Sequence, residues 1–550
     1  MLFGLALGQA GAAIAQPDSA RGGPESASAP TIDRDRADRL VPSIQQAPQS
    51  PAPAGPAPSV AITPVQQSAN AVALTQVRYE GATLAAATLD RAVAAYLGKA
   101  LTQETLQSVA NAIAGAYASS DIAFYSVSIP AQTPAGGVLT VKVVEGRVTD
   151  YQLAGASKST PTRLIRAHMR RLMGETPLHK KTLERTLSLL RDVPGQTLDV
   201  NVRQLAAPGD LALDLTVKRK QLQIGIVIDN SGVSNVIQGV QAQASVTING
   251  LAREGDSLRV SGYLPFYPDR YQFYSLGYTT PIGSDGLTLG GSFATMKTRS
   301  SNQISGAAKQ AGVALSYPLI RSYKANVSIN ASLDGIDSSN YFLDTQFGDY
   351  RSRAVRLGGS YSRSDEKYGF AVSATVSQGV DLFNAKAFAG YSGKSFTKAN
   401  IQGVVVKNLK KNLTVRTDLR AQYSQDMLPV TERASLGGRG AGMAFPVGTA
   451  TAEKVAAGSI QLDFKLPASS PALKNASLFV YLDGSAGRTV ARPAYALPTQ
   501  SVSMASAGVG VRVAVGKGWS TSVEVAVPLE RPDSAYSNKA RIFFGVSRTI

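Results

Sequence analysis

From Gln221 to the last residue, apolar and polar positions alternate in short runs separated by Gly, Asn, Asp and Ser. The run LQIGIVID sets Leu222, Ile224, Ile226 and Ile228 on one face, and IQLDFKLP sets Ile460, Leu462, Phe464 and Leu466 opposite Gln461, Asp463 and Lys465. NVSINASLD, NLTVRTDLR, WSTSVEVAV and RIFFGVSRTI repeat the scheme. A period of two belongs to a strand whose two faces meet different surroundings. Soluble sandwiches would divide this length into domains of about 100 residues, and no such boundary interrupts the pattern. At roughly 20 residues per strand and connection, the region predicts about 16 strands, the size of an outer-membrane barrel. Apolar side chains would then face lipid and polar ones a lumen wide enough for an aqueous channel.

Upstream the period changes. After a strand LTQVRY, helical spacing links Leu89, Val93, Tyr96 and Leu97, then Leu106, Val109, Ile113 and Tyr117. The alternating strands AFYSVSIP and VLTVKVVEG follow. The order repeats from Val148 to about Lys220: Thr160 reads as an N-cap, Pro161 as a first helical residue, and Leu164, Ile165, His168, Met169 and Leu172 as a helix face. A second helix, LERTLSLLRD, stops at Pro194-Gly195 before the strands TLDVNVR and LALDLTVKR. Two small α+β modules are expected, 72–147 and 148–220, each a sheet with two helices on one face, ahead of a barrel at 221–550.

Residues 1–15 are apolar and end in Ala13-Ile14-Ala15, as the end of a secretory signal does, although the first basic residue is Arg21. Residues 16–71 read as a Pro-rich linker, with seven prolines from Pro42 to Pro64. Inside it Thr31 to Val41 (TIDRDRADRLV) suits a short helix with Asp–Arg pairs at i,i+3.

Composition narrows the chemistry. There is no cysteine, only His168 and His179, and after the N-terminus no uninterrupted apolar run of 18 residues. A helical membrane protein and thiolate chemistry are excluded. His168 lies on an apolar helix face without a second ligand at metal spacing, which reads as packing. Net charge is +18, but the basic residues are scattered among Gly, Ser, Thr and Tyr, without a basic helix or aromatic-basic motif, so nucleic acid is not a partner. Gly393-Lys394-Ser395 resembles the end of a P-loop, yet Phe388 stands where the first glycine is required. No G-x-S-x-G or H-E-x-x-H occurs, and neither an enzyme nor a cofactor or metal is expected.

Several stretches carry a resemblance. Tyr117 through FYSVSIPAQ to GGVLTVKVVEG looks like a first POTRA domain, and PLHKKTLERTLSLLRDVPG like the Leu-rich helix of a second. VIDNSG, NGLAREGDSL, LGYTTPIGSDG and ALSYPLIRS are similar to early barrel strands of the same family. Together they resemble the TpsB transporters of two-partner secretion, within the Omp85 superfamily. The resemblance implies a monomer in outer-membrane lipid and lipopolysaccharide, with periplasmic POTRA domains that capture one large unfolded exoprotein. The barrel conducts that protein, and folding outside supplies direction without nucleotide. Tyr117, Phe124, Leu183, Leu187 and Leu190 are the candidates for holding the exported chain, and the 31–41 helix would plug the lumen. Insertion of other proteins into the membrane fits less well, because insertases of the superfamily usually carry more than two POTRA domains.

The family's sixth extracellular loop carries a Val-Arg-Gly-Tyr type motif whose arginine pairs with an aspartate on the barrel wall. Here the stretch reads ERASLGGRGAGMAFPVG: Gly437, Gly438 and Phe445 fit, but Met443 occupies the arginine's place, and Asp483 in FVYLDGSAG is the candidate wall carboxylate. Three readings stay open: Arg439 supplies the charge, packing by Met and Phe holds the loop, or gating and cargo have diverged. The last connects to an alternative function, a gated pore for small solutes.

Overall fold

The computed structural model describes residues 59–62, 72–157, 160–232, 239–266, 269–299, 304–365, 367–467, 476–515 and 518–550. The expected signal segment and the 31–41 helix lie outside these. Among the described residues no helix is long and apolar enough to cross a membrane. The chain forms two compact units, one holding the two small modules up to Lys220 and the other the region from Gln221.

The first module comprises β1 (Ser59–Ile62), β2 (Gln76–Glu80), α1 (Ala86–Val93), α2 (Gln103–Ser119), β3 (Tyr125–Ile129) and β4 (Val138–Glu145). Its sheet runs β1-β3-β4-β2. Helix α2 starts where the Thr102 hydroxyl accepts the Thr105 amide at 3.2 Å, satisfying one of the first-turn donors. The i, i+3, i+4 residues Leu106, Val109, Ile113 and Tyr117 then pack with Leu89 and Val93 on Val127, Ile129, Leu139 and Val141. Strand β1 comes from the stretch expected to be linker. It pairs in parallel with β3 through Ser59 to Ile62, and Val60 packs on the core.

The second module comprises β5 (Arg147–Ala154), α3 (Thr162–Met173), α4 (Lys180–Arg191), β6 (Gln196–Gln204) and β7 (Asp210–Arg219), in sheet order β5-β7-β6. Helix α3 begins at Thr162, with Pro161 as its cap residue rather than its first turn. His168 is buried beside Ile165, Met169 and Leu172. Lys180 ties the modules together, donating to the carbonyls of Ala118 at 2.7 Å and Ser120 at 2.6 Å at the C-terminal end of α2.

The rest is a closed barrel of 16 strands. Strands β8 (Leu222–Asp229), β9 (Gln241–Asn249), β10 (Ser257–Pro265), β11 (Tyr271–Ile282) and β12 (Leu287–Arg299) are followed by the long β13 (Ile304–Arg321), β14 (Ala325–Phe342) and β15 (Thr345–Ser364). Next come β16 (Tyr368–Gly379), β17 (Thr397–Lys410) and β18 (Leu413–Tyr423). A long loop, 424–453, carries a two-stranded hairpin of its own, β19 (Ala434–Leu436) with β20 (Ala450–Ala452). Strands β21 (Lys454–Lys465), β22 (Ala476–Arg488), β23 (Ser501–Val515), β24 (Trp519–Glu530) and β25 (Arg541–Thr549) complete the circuit, and β25 pairs with β8.

Burial in the barrel is inverted relative to a soluble domain. Leu222, Ile226, Ile228, Ile460 and Leu462 are exposed, whereas Gln241, Gln243, Asn330, Ser332, Ser373 and Ser377 are buried. Alternation therefore directs apolar residues outward and polar ones to the lumen, and closure leaves no unpaired sheet edge.

Candidate functional site

The 424–453 segment, loop 6, turns into the lumen and meets its wall in two places. Its stalk carries three adjacent or facing charges, Glu432 and Arg433 on the way in and Glu453 on the way out. On one wall, Arg356 of β15 makes paired bonds to Asp334 of β14 at 2.6 and 2.9 Å. The same guanidinium reaches Glu432 at 3.0 and 3.3 Å, and Lys398 of β17 closes on Glu432 at 2.7 Å. All four groups lie on or against the lumen face and are buried. Two cations and two carboxylates balance, which is the condition for keeping charges out of water.

A second cluster fastens the outgoing arm. The Glu453 carboxylate, also fully buried, forms an ion pair with Arg433 at 2.9 Å and accepts from Arg492 in the 489–500 loop and from the Val490 amide at 3.0 Å. Arg433 and Arg492 both stack on the Tyr391 ring, at 5.3 and 4.9 Å from its centroid. Loops 380–396, 424–453 and 489–500 are thereby pinned to one another.

The tip, Gly437 to Val447, lies against β22 to β25. Asp483 on the lumen face of β22 accepts the backbone amides of Gly442 at 3.0 Å and Met443 at 2.9 Å, and its other oxygen accepts the Ser506 hydroxyl. Ser485 donates to the Ala441 carbonyl at 2.6 Å. Met443 and Phe445 are buried with Leu436, Phe479, Tyr481, Met504 and Phe543. Arg439 turns to Glu524 of β24 rather than to Asp483. The tip needs glycine where the backbone is forced: Gly437 has φ 95° and a Cβ there would stand 2.2 Å from the Pro446 carbonyl oxygen. Gly442 has φ 108° and faces Met504.

The structure thus brings Gly437, Gly438, Arg439, Met443, Phe445 and Asp483 into one region. Arg439 and Asp483 do not meet, unlike the open reading in which Arg439 supplies that charge. The carboxylate at position 483 is satisfied by peptide N–H groups, and Arg439 neutralises a different carboxylate. Unanticipated were Asp334, Arg356, Lys398, Glu432, Glu453, Arg492 and Glu524. Their only sequence signal is ionisable residues at lumen-facing positions and the Glu432-Arg433 pair directly before a Gly-rich stretch.

The candidates for holding an exported chain require a correction. Tyr117, Leu183, Leu187 and Leu190 are core residues of the modules, because the helix faces they define pack on the sheets and present no surface to a partner. Tyr117 also donates to Glu145 at 2.6 Å; burial first, then this bond, raises its phenol well above the ordinary value. Phe124 is half-buried and packs on the second module's core. The large apolar residues exposed in this unit are Leu97 and Met173, among the described residues.

A closed 16-stranded barrel with a loop folded into its lumen, preceded by two α+β modules, is the architecture of an Omp85-type transporter. Residues 209–513 match the model of haemolysin secretion/activation protein ShlB/FhaC/HecB, and residues 72–146 that of the POTRA domain, ShlB-type. The first match spans more than half of the chain, and the chain belongs to the ShlB/FhaC/HecB family of two-partner secretion, a family of transporters rather than enzymes. No curated protein matches in sequence. Among solved structures, CdiB from Escherichia coli is similar at TM-score 0.71 and 18% identity, covering 89% of this chain and 92% of that one. CdiB from Acinetobacter baumannii follows at 0.63 and 16%, covering 88% and 91%. BamA from Haemophilus ducreyi lacking POTRA domains 1–3 is similar at 0.50 and 14%, covering 88% and 100%. At these identities the likeness is one of fold.

Proposed function

We propose that this chain sits in the outer membrane as a monomer and exports one large unfolded exoprotein. The POTRA modules take up the cargo in the periplasm, the barrel conducts it without nucleotide, and the tip of loop 6 is the closure that leaves its seat while the stalk stays. The observation that carries this reading is loop 6 itself, held inside the lumen at two places by contacts of different strength. A loop fastened inside the lumen suits a gate that opens for a specific polymer more than a standing channel.

Capture is supported by sheet edges. Extended chains add as strands to open edges with little demand on sequence, and β2, β5 and β6 lie at sheet ends while β1 covers β3. The alternative of a small-solute pore rests on the loss of the loop arginine at Met443; the hydrogen bonds that Asp483 accepts without that arginine support export over it. The test is the culture-supernatant proteome with and without the gene. One large β-rich protein is expected to vanish and to return on complementation with the native sequence. Matching supernatants, with the barrel present in the outer membrane, would contradict export of a dedicated partner.

A further inference from the structure

Along one row of side chains on β12 to β15, the outer wall of the barrel changes character. Below the row the outward face is apolar, with Phe293, Val313, Val355 and Leu357 all exposed. Nearer the loop end, the same face carries Lys297 on β12, Lys309 on β13, Asp337 on β14, and Arg351 and Arg353 on β15. Register sets them side by side: Lys309 pairs with Asp337, Asp337 with Arg351, and Lys297 lies two residues along from Thr295, the partner of Lys309. Such direct and diagonal neighbours have Cβ atoms about 5 to 8 Å apart. Arg353 reaches Asp337 at 2.7 Å, and Lys386 of the 380–396 loop reaches Asp349 at 3.0 Å. Five cations therefore stand among two carboxylates, with Lys297 and Lys309 exposed.

A charge on the lipid side of a barrel is costly at the bilayer midplane and nearly neutral at the interface. The strip starts two residues beyond the exposed Val355 and four beyond Phe293 and Val313, roughly 7 to 13 Å along a strand. That places it at headgroup level, where an excess of cations attracts anionic lipid. The leaflet at the loop end of an outer-membrane barrel is lipopolysaccharide. We propose that this strip is a docking site for the phosphates of lipid A, whose acyl chains lie on the Phe293–Val313–Val355 surface below. Lysine and arginine then replace the divalent cations that otherwise bridge those phosphates. The site rests on the outer-membrane reading above.

The test uses the full chain purified in detergent, with bisphosphorylated lipid A as probe and native mass spectrometry as readout. The variant Lys297→Gln/Lys309→Gln/Arg351→Gln/Arg353→Gln is expected to bind at least tenfold more weakly than the native chain. Lysines at the opposite end of the outer wall serve as control: Lys407→Gln/Lys410→Gln, exposed at the short-turn end of β17, is expected to bind as the native chain does. Lipid A stripped of both phosphates is expected to bind the native chain no better than the phosphorylated lipid binds the fourfold variant. Should the fourfold variant fail to fold, Lys297→Gln/Lys309→Gln leaves the Arg353–Asp337 pair intact and is expected to lose severalfold. Equal binding by native and variant chains, or indifference to phosphate, overturns the site. Absence of the native chain from the outer-membrane fraction would instead overturn the functional reading beneath it.

Discussion

The stalk of loop 6 is fixed by charges withdrawn from water, and its tip by peptide groups, a methionine and one arginine at the edge of solvent. At the stalk, Arg356, Lys398 and Glu432 have side chains at 0% exposure, so each depends on the others for its charge to be tolerable. At the tip, Arg439 is 41% exposed, while the Glu524 carboxylate it meets is buried. The difference shows how a signature arginine can disappear. A wall aspartate that takes its hydrogen bonds from main-chain N–H groups asks nothing of the side chain at position 443 except that it fit among Phe445, Tyr481 and Met504. A stalk built from paired ions has no such freedom.

The sharpest way to break the contrast is Glu432→Ala. It takes one carboxylate from Arg356 and the facing carboxylate from Lys398, and removing one member of a buried ion cluster costs about 3 to 5 kcal/mol. Loss of the folded, heat-modifiable barrel, or protease access to the whole 424–453 segment, is expected. Glu432→Gln combined with Lys398→Met, which removes one charge of each sign, is expected to recover much of that loss. Asp483→Ala ranks next. It takes the acceptor from two buried amides and the Ser506 hydroxyl but also removes the cost of burying the carboxylate, a net loss of about 1 to 3 kcal/mol, and is expected to raise channel opening in planar bilayers while the barrel stays folded. Asp483→Asn keeps an acceptor and is expected to open far less often. Arg439→Gln keeps a donor for the buried Glu524 carboxylate and should have the smallest effect, about 1 kcal/mol for exchanging a charged donor for a neutral one, visible as a modest rise in opening frequency.

The barrel was legible because a period of two survives over the whole region, and loop 6 because its glycines mark backbone that other residues cannot adopt. The stalk was not, because its partners stand 22 and 76 residues apart in sequence, and alternation says only that Asp334 and Arg356 face the lumen, not what crosses it to meet them. The POTRA helices are legible as helices, but the facing of Tyr117, Leu183, Leu187 and Leu190, the candidates for holding the exported chain, toward the module cores is not. An apolar helical stripe shows that a face is buried, not against what. Strand β1 was hidden by its prolines: SVAI is four residues in a Pro-rich stretch, and only the open edge of β3 gives it a partner.

The central claim, a tip that leaves and a stalk that stays, has a direct test because the chain contains no native cysteine. Ala441→Cys/Ser485→Cys would staple the tip, where the Ser485 hydroxyl now meets the Ala441 carbonyl at 2.6 Å. Thr431→Cys/Ser352→Cys would staple the stalk, where the two hydroxyls stand 3.5 Å apart. With both disulfides verified by mass, export of the partner exoprotein is measured before and after reduction. Oxidation of the tip pair is expected to stop export and reduction to restore it, while the oxidised stalk pair exports as the native chain does. Export that stops with either staple, or with neither, would contradict the account.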